Sequence, residues 1–455
     1  MKVPLLPLDE RKTTFKEVEV GFTQEEAQKE ANRCLQCKDP RCVKGCPAGV
    51  NIPLFIKLFR EGKIDESAEV IRESEFFPSI CGRICQHEKQ CEGSCILSKA
   101  KEGAVCIGGI ERYIGDHSKM PKQEKKNGKN VAIIGSGPSG LTTAAVLSLA
   151  GVNAVVMEGT NTFGGVIKYG VPEFRLPKEV VAREIAGLHD LGIDFEPNAK
   201  IDADSLEEMS KKYDAVFVGT GVGKPRLLTS EGSQLKGVLS AMKFLVNLNQ
   251  SGIVTISPGE KVVVVGAGYV GIDAARSAVR LGGKVTCITK ATREDAMKSV
   301  TEKDYVEAEE EGVKFMFGVS VDRFEGTEKV ERVHYTNGEK GFIEVDKVIS
   351  AIGQDHDNDS LKSVIKTGPD GNIIVNKKKQ TIVPNVFAAG DCVHGPKTVI
   401  EAIATGRDAA KSILKYLDKI DEKKAEKEQS DLIKKDLAKH KTKEEHEKNK
   451  DNKDI

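Results

Sequence analysis

The chain has 455 residues, with 69 Lys and Arg against 69 Asp and Glu, and a formal net charge of zero. That length accommodates two or three domains with ordinary cores, and the balanced charge gives no support to a nucleic-acid or anionic-membrane partner. Forty-four glycines with seven tyrosines and no tryptophan fit an α/β protein rich in nucleotide-binding turns better than a carbohydrate or peptide binder.

The opening residues MKVPLLPLDERK carry prolines and acids where a signal peptide needs an apolar run, and no later run approaches the ~20 apolar residues of a membrane span. A cytoplasmic protein is expected. Eleven cysteines without an export signal argue against a disulfide framework, and eight of them lie between residues 34 and 95, which points to metal.

Residues 23–33, TQEEAQKEANR, predict a helix with a capping box of Thr23 and Glu26, and that helix delivers Cys34. Cys34-x2-Cys37-x4-Cys42-x3-Cys46-Pro47 is close to the ferredoxin run in which the cysteine before proline ligates the other cluster of a pair. A second burst, Cys81-x3-Cys85-x5-Cys91-x3-Cys95, could supply that pair. Two zinc sites are the alternative; the Cys-Pro step favours iron–sulfur. Counting alone makes all eight cysteines ligands. Between the bursts, apolar residues at helical spacing around Gly62 make residues 1–120 a small helical domain. Cys106 is expected to be a buried structural thiol, and HSKMPKQEKKNGKN a linker.

From Val131 the texture changes, and one βαβ unit occurs twice: residues 131–159 and 262–290 align without a gap. In the first copy Gly135, Gly137 and Gly140 follow an apolar strand and open an alanine-rich helix, the context in which this triplet binds a pyrophosphate. Glu158 ends the next strand, where an acid can bond both hydroxyls of an adenosine ribose. The second copy carries Gly266, Gly268 and Gly271, but Thr289 replaces the acid, with Lys290 and Arg293 beside it. A missing acid with nearby cations tolerates a 2′-phosphate, so NADPH is favoured over NADH there; the bland alternative makes both cations ordinary surface charges.

Phe163-Gly164-Gly165, Thr220-Gly221 and Phe387-Ala-Ala-Gly390-Asp391 belong to the first unit's style of site, which makes the first unit the flavin site and the second an insertion. The expected division is an FAD-binding domain at 128–255 and 346–417 around an NAD(P)H-binding domain at 256–345. A helix beginning near Lys397 and Thr398 would aim its N-terminus at the flavin and stabilise the negative charge of its reduced form. Cys287 and Cys392 read as packing residues. Residues 418–455 hold 24 charged residues of 38, evenly split by sign, and predict a solvated helix or a disordered tail.

The motif order CLQCKDPRCVKGCP, CGRICQHEKQCEGSC, IGGIERYIGD, VAIIGSGPSGL, FGGVIKYGVPEFRLP, VVVVGAGYVGIDAAR, FAAGD and TVIEAIATGRDAA resembles the small (beta) subunit family of NADPH-dependent glutamate synthase. The same module resembles the large subunit of bifurcating ferredoxin:NADP oxidoreductase, the alpha subunit of archaeal sulfide dehydrogenase and the N-terminal half of dihydropyrimidine dehydrogenase. The likeness runs from about residue 20 to 417, leaving out the charged tail. It implies an α/β chain in which a helical iron–sulfur domain precedes two Rossmann-like dinucleotide-binding domains, the NAD(P)H domain inserted in the FAD domain.

The resemblance also implies two 4Fe-4S clusters, one held by Cys34, Cys37, Cys42 and Cys95, the other by Cys46, Cys85, Cys91 and Glu111, so that Cys81 is not a ligand. It carries FAD contacts to the Gly135 triplet, Glu158, Gly164, Gly165, Arg175, Gly390 and Asp391, and nucleotide contacts to the Gly266 triplet and Lys290. Relatives carry two adjacent basic residues where this chain has Lys290-Ala291, which weakens the preference for NADPH. The implied activity passes electrons from NADPH through FAD and both clusters to a partner, with no side chain needed as acid or base. That partner would be the FMN-bearing glutamate synthase large subunit or a ferredoxin. A competing reading is the large subunit of an electron-bifurcating complex, which also needs a small NAD-binding flavoprotein. The non-enzyme alternative, a metal-bearing scaffold with degenerate nucleotide sites, is disfavoured because both triplets and Glu158 are intact. A homo-oligomer is compatible with the chain. With no amidotransferase module or FMN barrel, the chain alone is not expected to make glutamate from glutamine.

Overall fold

The computed structural model describes residues 2–121 and 125–421; most of the charged tail lies outside them. The capping box forms as its residues require: Thr23 Oγ1 accepts from Glu26 N at 3.2 Å and Thr23 N donates to Glu26 at 2.8 Å, starting the helix Gln24–Ala31. The apolar stretch between the cysteine bursts folds as two helices, Ile52–Arg60 and Ile64–Arg72, broken at Gly62. Their buried Phe55, Ile56, Phe59 and Ile71 meet Ile110 and Ile114 of the helix Ile107–His117. Pro78–Ile84 crosses that last helix at backbone contact. A Cβ on Gly82 would lie 2.5 Å from Arg112 N, and one on Gly115 would lie 2.3 Å from Ser79 N, so neither position accepts a side chain.

The first dinucleotide unit builds a five-stranded parallel sheet, ordered Val386–Ala388, Ala215–Val218, Asn130–Ile134, Asn153–Met157 and Asp194–Glu196. Its central strands are apolar along their length because helices or loops cover both faces. The second sheet is also parallel, ordered Val238–Ser240, Lys347–Ser350, Lys261–Val265, Lys284–Thr289 and Lys314–Phe317. It therefore reaches beyond the expected 256–345. Val348 pairs with both Val238 and Val263, and the helix Ala241–Ser251 packs Phe244 and Leu245 into the second core, so these segments belong to the inserted domain. A three-stranded antiparallel sheet, Ser320–Glu325, Arg332–Asn337 and Glu339–Glu344, is appended to it. Where the chain passes between the two domains, the outgoing and returning segments pair with each other, Lys224 with Asp355 and Pro225 with Gln354.

The inserted domain is seated by charge. Arg276 and Arg280 converge on Glu311 at 2.6 Å each, all three side chains at most 2% exposed. Phe174 of the flavin domain lies against both guanidinium groups, 5.1 and 3.7 Å from its ring centroid. The N-terminal arm adds Arg11 to Glu310 at 2.8 Å and Glu19 to Lys303 at 2.5 Å, and accepts from Arg280 at Thr14 O. No helix among the described residues is long and apolar enough to cross a membrane.

Candidate functional site

The cysteines form two sets, which chain geometry explains. Cys34 follows the capped helix, Cys42 lies on the short helix Arg41–Gly45, and Cys95 caps Ile96–Lys99; with Cys37 these line one cavity. Cys46 leaves the short helix in extended conformation (φ −85°, ψ 122°) and lines a second cavity with Cys85, Cys91 and Glu111. Ile52 and Ile107 wall both cavities, so one layer of side chains separates them. Cys81, one turn before Cys85, is completely buried and lines neither. Counting cysteines alone would make Cys81 a ligand, whereas the second cavity is lined by three cysteines and one carboxyl, that of Glu111.

All eleven cysteines are unpaired thiols. Burial pushes Cys42 up to about 11 and Cys91 well above the ordinary thiol range. Burial, then the neighbouring Glu75, Cys85 and Cys46, raises the Glu111 carboxyl well above its usual range. One buried thiol, Cys91, two half-buried ones, Cys46 and Cys85, and a carboxyl that repel one another in their charged forms suit a cationic centre, which favours the thiolates. Among the described residues no three His, Cys, Asp or Glu converge as a single ion would require; the donors ring a space instead. The donor sets thus fit 4Fe-4S clusters.

Sequence reasoning missed the surroundings of Glu111. His87 lines the same cavity with its buried Nε2 3.9 Å from Glu111 Oε2, and burial, with Lys303 nearby, lowers its pKa to about 4. Glu75 accepts from Phe77 N at 3.2 Å, and burial pushes it up to about 7. Glu75 lies outside the sequence motifs and His87 sits within the second cysteine burst at a position with no expected role; only the fold brings them to Glu111.

The two glycine triplets have the same geometry. Gly135 and Gly266 sit at φ +96° and +110°, where a Cβ would strike Gly219 O at 2.5 Å and Ala351 O at 2.3 Å. Gly140 and Gly271 press on the first glycine's carbonyl, at 2.0 and 1.9 Å from a built Cβ. A Cβ on Gly137 or Gly268 meets nothing within 4 Å. The middle glycine of each triplet therefore opens onto space at the N-terminus of a helix, Pro138–Leu149 or Tyr269–Arg280, the place for a pyrophosphate. Gly165 closes over Gly137, its built Cβ 2.9 Å from that Cα, with Gly164 beside it at φ +114°.

Glu158 is held at the glycine turn, accepting from Ser136 N and Oγ at 3.1 and 2.6 Å and from Thr160 N at 3.0 Å. Gly390 packs against Ser139, and Asp391 accepts from Lys397 N at 3.3 Å while burial pushes it up to about 6. Thr220 Oγ1 donates to Asn358 at 3.1 Å, with Gly221 next to it at φ +72°. Thr398 bonds Glu401 through its N and Oγ1 and so caps the helix over 399–421.

Two of the expected cofactor contacts also have protein partners. Arg175 donates to Asp273 at 2.8 Å and lies over the Tyr269 ring, so its guanidinium ties the flavin domain to the nucleotide domain. Arg293 is gripped bidentately by Glu309 at 2.7 and 3.0 Å. Lys290 is exposed at the end of Lys284–Thr289 and forms no ion pair among the described residues.

Known proteins share this layout. Residues 11–123 match the family described as dihydropyrimidine dehydrogenase domain II, 4Fe-4S cluster, and residues 129–406 match the pyridine nucleotide-disulphide oxidoreductase family. The glutamate synthase [NADPH] small chain of Escherichia coli is 36% identical, covering 91% of this chain and 96% of that one. The Azospirillum brasilense small chain is 34% identical over 90% and 93%. In fold, Mycobacterium tuberculosis FprA in complex with NADPH superposes with a TM-score of 0.55 at 19% identity, over 65% of this chain and 85% of that one. The two family descriptions name a 4Fe-4S cluster and a pyridine nucleotide, and both small-chain relatives carry NADPH in their names. Similarity of this extent, carried by both the cluster domain and the two dinucleotide units, makes the chain a member of the glutamate synthase small-chain family of iron–sulfur flavoprotein oxidoreductases.

Proposed function

We propose that this chain collects electrons from NADPH at the Gly266 triplet and hands them singly to a partner protein, the FMN-bearing glutamate synthase large subunit or a ferredoxin. Bound FAD supplies the conversion of a two-electron hydride into one-electron steps. The chain's residues do the holding. The Gly135 triplet, Gly164, Gly165 and Gly390 let the cofactor's pyrophosphate approach the protein backbone, Glu158 meets its ribose, and Asp391 and the helix that Thr398 caps face its ring. Cys46, Cys85, Cys91 and Glu111 hold one cluster, and Cys34, Cys37, Cys42 and Cys95 the other. Lys290 reads the 2′-phosphate, and Arg293 assists only if it leaves Glu309. Free thiols throughout the chain suit a reducing, cytoplasmic setting.

One observation carries this reading: the second cavity is walled by Ile400, two residues past the helix cap Thr398, and shares Ile52 and Ile107 with the first. The two metal sites thus stand in line from the flavin domain outwards. The test is an as-purified spectrum with anaerobic NADPH titration. Flavin bands over broad iron–sulfur absorbance, both bleached by NADPH, with two interacting paramagnetic centres, are expected. A colourless zinc protein, or flavin that bleaches without any cluster reduction, would refute it. Purification from the source, with identification of co-eluting flavoproteins, decides the partner.

A further inference from the structure

The two metal cavities differ in what surrounds them. The second is walled by buried Phe55, Ile107 and the flavin-domain residue Ile400. The first reaches the surface, and its walls include Leu35, 62% exposed, and Ile96, 56% exposed. Each follows a proposed ligand directly, Cys34-Leu35 and Cys95-Ile96. Single exposed hydrophobic residues need no explanation; two converging on one metal cavity form an apolar centre.

The charge beside that centre is predominantly of one sign. Segments 33–44 and 95–102 hold Arg33, Lys38, Arg41, Lys44, Lys99 and Lys101 against only Asp39 and Glu102, in a chain whose net charge is zero. Both acids are already engaged by rim cations, Asp39 with Lys44 at 2.6 Å and Glu102 with Arg33 at 3.4 Å. Lys38, Arg41, Lys99 and Lys101 are exposed and make no ion pair among the described residues. A small apolar centre on segments that carry an excess of unpaired cations suits a transient interface, in which steering sets the encounter and weak contact permits release.

We propose that the mouth of the Cys34, Cys37, Cys42 and Cys95 cavity is the docking surface for a one-electron carrier protein whose own redox centre lies beneath an acidic collar. This rests on the cluster assignment proposed above. A second copy of the chain is a poor occupant, because an isologous contact would set the cationic rim against itself. The chain's own tail is another poor fit, since the charges of residues 418–455 are balanced in sign. One electron crosses at each encounter, with no bond made and no proton moved, and two encounters balance one hydride at the nicotinamide.

The test uses the holoenzyme with an acidic plant-type 2Fe-2S ferredoxin as probe and basic cytochrome c as counter-probe, binding being read by calorimetry. Ferredoxin affinity is expected to fall about tenfold or more between low and physiological salt, with no measurable binding of cytochrome c. The variant K38E/R41E/K99E/K101E should lose ferredoxin binding by a further factor of about ten or more. L35S/I96S should weaken it at every salt concentration. NADPH-reduced cluster signals in paramagnetic resonance should be unchanged in the charge-reversed variant, which shows that it folds and loads. Undiminished ferredoxin binding by the charge-reversed variant overturns the proposal. So does a wild-type dimer that the charge reversal dissociates, since the occupant would then be a second copy. A wild-type protein without NADPH-reducible clusters refutes the electron route itself, a result obtained before any ferredoxin is added.

Discussion

Replacing the middle glycine of each triplet by valine separates the two nucleotide sites. Gly137 (φ −69°, ψ 175°) and Gly268 (φ −77°, ψ 179°) have extended backbone that valine adopts without strain, and neither Cβ meets anything within 4 Å. Both are helix N-caps, where valine is worse than glycine by about 1 kcal/mol. A stiffer unfolded chain returns about 0.4–1 kcal/mol, so stability should change little. The cofactor loses far more. An isopropyl group over the helix N-terminus keeps the pyrophosphate from the backbone N–H groups, and forfeiting two charge-assisted hydrogen bonds costs about 3–6 kcal/mol. That is a loss of roughly a hundredfold or more in affinity. Gly135→Val is the contrasting control: at φ +96° and 2.5 Å from Gly219 O it should impair folding itself. The assay is flavin released per chain, thermal unfolding, and stopped-flow bleaching by NADPH. Gly137→Val should be folded and flavin-free; Gly268→Val should keep its flavin and fail to bleach. Full flavin in Gly137→Val, or its loss from Gly268→Val alone, would refute the assignment of the two domains.

Three further outcomes are expected. Cys81→Ala should retain about eight irons per chain, whereas Glu111→Ala loses or perturbs one cluster by iron count and paramagnetic resonance; the reverse pattern would make all eight cysteines of the two bursts ligands. Lys290→Ala should raise the Michaelis constant for NADPH much more than for NADH, and Arg293→Ala, already paired with Glu309, should add less; equal losses for both nucleotides would mean that neither cation reads the phosphate. Glu311→Gln leaves Arg280 buried without a counter-charge and Arg276 with Glu307 alone at 3.2 Å, which costs about 3–5 kcal/mol and should split off an early calorimetric transition. Burial raises the Glu311 pKa, but hydrogen bonds from Arg276 and Arg280 outweigh it and hold the carboxyl below its ordinary 4.5. The stabilisation is therefore full above that value and is lost as pH falls through the folded-state pKa. A variant as stable as the wild type at neutral pH would contradict this.

Much of the fold was legible because its signals are local. The capping box at Thr23 and Glu26 forms within four residues, and each glycine triplet lies within one turn, so sequence spacing is spatial spacing. The inserted domain's limits were not legible. Val238–Ser240 and Lys347–Ser350 are short strands whose only defining feature is pairing with residues far along the chain. The ion pairs of Arg175 and Arg293 were not legible, because their carboxylate partners, Asp273 and Glu309, lie on helices that only folding brings close. Of the second metal cavity, spacing alone offered the cysteines. Glu111 entered through family resemblance, and His87 and Glu75 only through the structure.

The arrangement of the first sheet has a consequence for biogenesis. Val216 in its interior pairs with Ala132 on one side and with Val386 on the other. As the chain leaves the ribosome, the flavin domain's first strands therefore emerge with one edge bare, and they stay so until the whole second sheet has been synthesised. The second sheet waits less, since all its strands lie between Val238 and Ser350, with only the appended antiparallel sheet made before its interior strand Lys347–Ser350. The inserted domain can thus mature first, and the domain that contains it closes last. An unpaired hydrophobic strand edge during that interval invites aggregation, so overexpression that outpaces flavin supply should yield inclusion bodies rather than soluble flavin-free protein.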